Sequence, residues 1–317
     1  MILMSDILLG ELGKDILIFI QSLSPLLDIP FLIITLLGDV IFYITVIGSI
    51  YWSFSKKLGI ILFSFMTISG ISNTFLKGIF GVDRPYLTYP SEIKEISSVS
   101  GYSFPSGHAM SSSAFFGFFS LRNKDNIKII LFSGIIIILV SLSRIYLGVH
   151  YLSDVLVGIV LGLTFSIIVL KTLPWFETFF SKQNDFSIIT FVLLVSFILM
   201  LLSTITTELF GNIIEAAPNG NLPGILAGGV IGFVLERKKI GFKTENIDNW
   251  TKFVRIFLGF SLILATYILG KAFTSTVTGN LIVMTDYMVF FVVGLVATLV
   301  VPYVFSKYEN IAKIEAS

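Results

Sequence analysis

Apolar stretches of roughly membrane-crossing length follow one another along the chain with short polar breaks. They fall at about 31–52, 58–79, 106–121, 127–143, 151–171, 186–210, 222–235, 253–271 and 285–306. About 20 such residues in a helix cross the hydrocarbon of a bilayer, where every backbone polar group must be bonded inside its own segment. The expected fold class is therefore all-α, a polytopic integral membrane helical bundle. Composition agrees: 55% of the 317 residues are hydrophobic and 13% charged, with a mean hydropathy of +0.94. The third and seventh stretches are the shortest. Segment 7–27 is interrupted by Glu11 and Lys14 and reads as an interfacial helix rather than a span. No basic stretch, apolar core and small-residue cleavage site opens the chain, so the first spans are expected to act as the insertion signal.

Several function classes fall away at once. The chain has no cysteine, so it holds neither a disulfide framework nor a thiolate metal site. A net charge of +1 offers no basic surface for nucleic acid. No repeat of 20–50 residues marks a solenoid.

Charge orients the bundle, because short cytoplasmic loops collect Lys and Arg. With alternating spans, one face holds 15 of the 21 basic residues, Lys56, Arg122, Lys128 and Arg237 among them. The other keeps Lys14, Lys77, Arg84, Lys94, Arg144 and Lys271. The first face is expected to be cytoplasmic, placing the second outside the cell (plasma) membrane. The same count brings Lys77 and Arg84, His108, Arg144 and His150 to the sparse side, although they are far apart in sequence. Those are both of the chain's histidines. Basic residues at span ends also snorkel to headgroups without further role, but this convergence points to one site.

Three fixed cations, Lys77, Arg84 and Arg144, complement the oxygens of a phosphoryl group, arginine bidentately. Pro105, Ser106 and Gly107 lead into a helix whose first turn presents free N–H groups and a positive dipole end to an anion. Gly107 permits close approach, and Ser106 serves as N-cap or as a hydroxyl donor to phosphate. His150 and Asp154 stand at i and i+4, on one helix face. There a carboxylate can fix the ring's tautomer and leave its second nitrogen free to attack.

These stretches carry a resemblance. KGIFGVDRP (Lys77 to Pro85), PSGH (Pro105 to His108) and SRIYLGVHYLSD (Ser143 to Asp154) resemble the three-part signature of the type 2 phosphatidic acid phosphatase superfamily, over roughly residues 30–175. The resemblance implies a helical core shared with vanadium haloperoxidases. It makes His150 the nucleophile that becomes a phosphohistidine, with Asp154 holding its ring. His108 becomes the proton donor to the leaving alkoxide and then the base for water. Lys77, Arg84, Ser106, the Gly107 amide and Arg144 bind the phosphoryl oxygens. It implies no metal and no cofactor.

The domain reading is an N-terminal interfacial segment at 1–30, a catalytic core at 31–175 and a transmembrane extension at 176–317. The expected enzyme is a metal-independent phosphatase acting on a lipid phosphate monoester or pyrophosphate drawn from the bilayer. Phosphotransfer, a soluble sugar phosphate as substrate, haloperoxidase chemistry, and a transporter or scaffold with a degenerate site are the alternatives. Asp39, inside the first stretch, either lines the substrate path or makes a polar core contact. Asn73, one turn before Lys77, is placed to steer that ammonium. Glu208 and Glu215 read equally as loop charges. Gly224, Gly228 and Gly232, four residues apart, suit close helix packing within the chain or in a homo-oligomer. The loop from Gly81 to Phe104, with Tyr86, Tyr89 and Pro90, is expected at the interface.

Overall fold

The computed structural model describes residues 11–210, 220–278 and 281–315, which contain helices and loops and no strand. Glu215 and the first ten residues lie outside them, as does the Glu208 side chain. The helices, in chain order, are α1 (Glu11–Gln21), α2 (Asp28–Thr35), α3 (Val40–Ser53), α4 (Lys56–Phe80) and α5, one turn at Pro85–Thr88. There follow α6 (Gly107–Arg122), α7 (Ile127–Tyr146), α8 (Leu152–Ser181), α9 (Asp185–Phe210), α10 (Asn221–Lys239), α11 (Asn249–Thr274), α12 (Leu281–Leu295) and α13 (Val301–Glu315).

Each expected apolar stretch is helical, but not each is long and apolar enough to cross a membrane. Six helices pass by length and composition, and a seventh crossing is counted if α2 and α3 form one bent span. The protein is thus an integral membrane helical bundle. α6 has only 16 residues, a rise of about 24 Å against hydrocarbon about 30 Å thick. α10 is diluted by its glycines and ends in Arg237, Lys238 and Lys239. The outer face of α7, with Leu131, Phe132, Ile135 and Ile138 all exposed, is what a lipid-facing helix shows.

The first stretch is broken. α2 tightens into a 3-10 turn at Leu36–Gly38, and Asp39 is extended at φ −78 and ψ 150. Asp39 Oδ1 accepts the Ile41 N–H at 2.8 Å, so one carboxylate ends the first helix and caps the next. The two halves meet at 46°. Segment 7–27 holds α1, whose 11 residues are too few for a crossing. α1 is nonetheless anchored: Leu17 is fully buried, and Gln21 Nε2 donates to Lys94 O and Tyr146 O, both at 2.9 Å.

Two compact units are present, and the chain visits both more than once. Of the described residues, the first comprises 11–43, 69–177 and 205–210, the second 44–68, 178–204, 220–278 and 281–315. In the first, α6 lies against α7, as do α1 and α2. α6 also approaches α8 closely: a Cβ at Gly158 would sit 2.7 Å from Ser106 O, and one at Gly162 would overlap Met110 O. In the second, a Cβ at Gly224 or Gly228 would collide with Tyr287 O or Phe291 O, and one at Gly232 with Thr298 Oγ1. The small-residue stripe therefore packs α10 within the chain, on α12 and the π turn after it. Buried Glu236 is paired with Lys56 at 2.9 Å in the same unit.

Candidate active site

Four helix ends of the first unit carry the candidate residues, and their alternating directions explain why they meet. Lys77 is in the last turn of α4 and Arg144 in the last turn of α7. His108 is in the first turn of α6, and Asp154 in the first turn of α8. A helix that ends at a level is followed by one that begins there.

Arg84 precedes Pro85, in extended conformation, and is 3% exposed. Its Nε and Nη2 donate to Gly101 O and Ser100 O, at 2.8 and 2.9 Å. Nη1 donates to Val149 O at 2.9 Å and stands 3.4 Å from His150 Nε2. The Lys77 ammonium donates to Tyr102 O and Ser103 O. Ser106 caps α6, its hydroxyl accepting from Ala109 N at 3.5 Å. Asn73 does not steer Lys77. Its amide donates to Pro105 O at 3.2 Å, and its Oδ1 is 3.1 Å from where a Gly107 Cβ would be. It fixes the loop before His108, because from a helix one turn earlier the short side chain reaches that loop.

Arg144 is buried, and Thr35 Oγ1 accepts from its Nη1 at 2.6 Å. Its Nε and Nη2 are buried with no partner among the described residues. Unpaired buried donors on a cation are costly, so the arrangement suits an anion.

His150 and Asp154 are both almost wholly buried. His150 Nδ1 is 3.3 Å from Asp154 Oδ2. Burial first, then the charges of Lys77, Arg84 and Arg144, push the His150 imidazolium well below the usual histidine range. The contact is therefore a neutral ring N–H donating to a carboxylate rather than an ion pair. With that tautomer, Nε2 presents its lone pair toward the Arg84 side.

Asp154 Oδ2 also accepts the Tyr151 N–H at 2.8 Å and the Ser103 hydroxyl. Ser103 Oγ is itself 3.3 Å from His150 Nδ1. Sequence reasoning missed Ser103, and missed Thr35 and Gly38 as well: a Cβ on Gly38 would lie 2.9 Å from His108 Cδ2. No periodicity marks these three, since each acts across distant elements. The turn before His150 depends on Gly148 at φ +78, where a Cβ would meet Lys94 O and Gln21 Nε2.

All eight residues expected at the site thus fall in one unit, at one level of its helices. Comparison with known proteins follows the same lines. Residues 58–178 match the family model of the PAP2 superfamily. Residues 220–313 match the PAP2 superfamily phosphatase transmembrane extension. The chain belongs to the PAP2 superfamily. It is 39% identical over 72 residues to phosphatidylglycerophosphatase B of Bacillus subtilis, covering 20% of this chain and 36% of that one. To lipid A 4'-phosphatase of Porphyromonas gingivalis it is 32% identical over 154 residues, or 44% and 63% of the two chains. To lipid A 1-phosphatase of Rhizobium etli it is 31% identical over 116 residues, or 35% and 48%. The match therefore spans between 36% and 63% of the length of these relatives. The crystal structure of a transmembrane PAP2 type phosphatidylglycerolphosphate phosphatase from Bacillus subtilis is 25% identical, with a TM-score of 0.42 over 55% of this chain and 89% of that one.

Proposed function

We propose that the protein is a membrane phosphatase that hydrolyses a lipid phosphate monoester or pyrophosphate through a phosphohistidine. The observation that carries this reading is Arg144, with two buried guanidinium nitrogens unpaired among the described residues, in the unit where a neutral His150 is held by Asp154. An anion with several oxygens satisfies those donors, and His150 supplies the nucleophile.

Burial, then the charges of Arg144, Lys77 and Arg84, push His108 well below the usual histidine range, and in the proposed reaction the phosphate anion offsets those cations so that His108 takes up a proton. His150 Nε2 then attacks phosphorus, and the bond to the leaving alkoxide breaks as its oxygen takes that proton from His108. His108, now neutral, accepts a proton from water, whose oxygen displaces the imidazole and releases phosphate. Lys77, Arg84, Ser106, the Gly107 amide and Arg144 meet the phosphoryl oxygens as negative charge redistributes among them. Asp154 keeps the His150 proton on Nδ1 throughout.

The relatives' names support a lipid substrate, since each names a lipid phosphate. A site at helix ends also receives a headgroup by lateral diffusion, the tail staying in hydrocarbon. The 15 to 6 division of basic residues supports an extracytoplasmic site in the cell membrane. Residues 31–175 form the catalytic core in this reading and 176–317 an extension.

Phosphate release by the purified full chain tests it, with phosphatidic acid, phosphatidylglycerophosphate and a prenyl diphosphate as lipids and glucose 6-phosphate as the soluble control. His150→Ala abolishes turnover while the protein stays folded. His108→Ala retains more activity on an activated aryl phosphate than on an alkyl phosphate, because the aryl leaving group needs less protonation. Near-wild-type hydrolysis by His150→Ala overturns the nucleophile, and a higher kcat/KM for glucose 6-phosphate overturns the lipid substrate.

A further inference from the structure

The break between α2 and α3 brings a second group of residues to the site from outside the three signature stretches. Thr35 accepts from Arg144 at 2.6 Å. Gly38 lies directly against the His108 ring, so close that a Cβ there would be 2.9 Å from Cδ2 and 3.1 Å from Cβ. Asp39 follows Gly38 and is half-buried. Its Oδ1 is used by the Ile41 N–H. Oδ2 has no hydrogen-bond partner among the described residues. An ionisable side chain inside an apolar stretch is costly unless it has work there.

His108 sets the direction. In the reaction proposed above it protonates the leaving oxygen, so whatever borders His108 borders the leaving group. The opposite side of the phosphoryl group belongs to His150. Gly38 therefore borders the leaving alcohol, whereas Thr35 serves Arg144 on the phosphoryl side, and the residue that follows Gly38 carries a negative charge.

We propose that Asp39 is a specificity-determining residue that receives the leaving alcohol of a lipid phosphate monoester and disfavours diphosphates, an inference that rests on the phosphatase reading. A hydroxyl or ammonium next to the ester oxygen finds an acceptor in Oδ2. The leaving group of a diphosphate is itself a phosphate and meets a like charge. One group thus favours one class and repels the other.

The test uses the full chain in mixed micelles and measures kcat/KM for phosphate release from three lipids. These are a lysophosphatidate with a free hydroxyl beside the ester, a matched phosphatidate without one, and a prenyl diphosphate. Asp39→Asn removes the charge and keeps an oxygen to cap α3; Asp39→Ser is a second variant with a capping oxygen. The wild type is expected to favour lysophosphatidate over phosphatidate, and both over the diphosphate. Asp39→Asn should raise the diphosphate-to-lysophosphatidate ratio by about tenfold, the scale of one unit charge acting over roughly 10 Å at an effective dielectric near 20. An unchanged ratio in both variants overturns the role of Asp39, as does a wild type that favours the diphosphate, and either result leaves the phosphatase reading standing. The wild-type comparison decides even if neither variant folds. Absence of phosphate release from every substrate overturns both.

Discussion

Removing the Ser103 hydroxyl isolates one bond in the nucleophile assembly. Asp154 Oδ2 is shared by three donors, the Tyr151 N–H at 2.8 Å, the Ser103 hydroxyl, and the His150 ring at 3.3 Å. Oδ1 is buried and has none among the described residues. Ser103→Ala removes a hydrogen bond to a buried carboxylate, worth about 1.5–3 kcal/mol. It also frees the ring nitrogen that stands 3.3 Å from Ser103 Oγ to swing with Asp154. If half or more of that energy is felt only when the ring becomes cationic on the proposed phosphorylation, kcat falls by about 4- to 160-fold at about 1.36 kcal/mol per factor of ten. KM changes little, since Ser103 contributes no cation to the phosphoryl oxygens. Rapid-quench measurement of the phosphoenzyme burst with a chromogenic aryl phosphate separates the first step from the second. Ser103→Thr, which keeps the hydroxyl, should restore most of the burst rate. A wild-type burst in Ser103→Ala, or a loss confined to KM, refutes the reasoning.

Three further outcomes follow from the geometry. Gly148→Ala, at φ +78 with Lys94 O and Gln21 Nε2 in the way, should lower the melting temperature and cost more than the roughly 1–2 kcal/mol of a left-handed residue alone. An Ala variant as stable as wild type removes the claim that this turn needs glycine. The His150 ring is held neutral by burial and by neighbouring cations, so the unfolded chain takes up a proton that the folded one refuses. The His150 contribution to stability is therefore present above the unfolded value of about 6.5 and is lost as pH falls below it. A His150→Gln variant should lose less stability between pH 7 and pH 5 than wild type, and equal losses would exclude this source. A cysteine placed at Glu92 should be labelled by an impermeant reagent on intact cells and one at Lys124 should not, and the reverse pattern moves the site to the cytoplasm.

How much of this was written in the chain depends on the range of each effect. The apolar stretches prescribed helices, because in hydrocarbon a backbone has little alternative. Alternating helix directions put Lys77, His108, Arg144 and Asp154 at neighbouring helix ends, although α6, which the count of spans took as a crossing, is too short to pass as one. The His150–Asp154 pair was legible from its spacing, but not as two residues on one helix face: His150 stands in the turn before α8 and meets Asp154 in the first turn of that helix. Local signals likewise gave Ser106 as a cap.

Other features had no local signal. Ser103 lies 51 residues before Asp154 and Thr35 lies 109 before Arg144, so only the folded bundle pairs them. Asp39 read as a charge inside a span, yet the structure makes it the break in that span, because a short carboxylate can take a backbone N–H from the helix it interrupts. Asn73 faced Lys77 on a helical wheel but bonds Pro105, since a wheel shows direction along one helix and not what another element brings within reach. The glycine stripe on α10 announced close packing, and the partner, α12, was fixed only where backbones met. Periodicity specifies which side of a helix is occupied, whereas tertiary structure decides by whom, because hydrogen bonds and van der Waals contacts act over a few ångströms and sequence separation does not measure them.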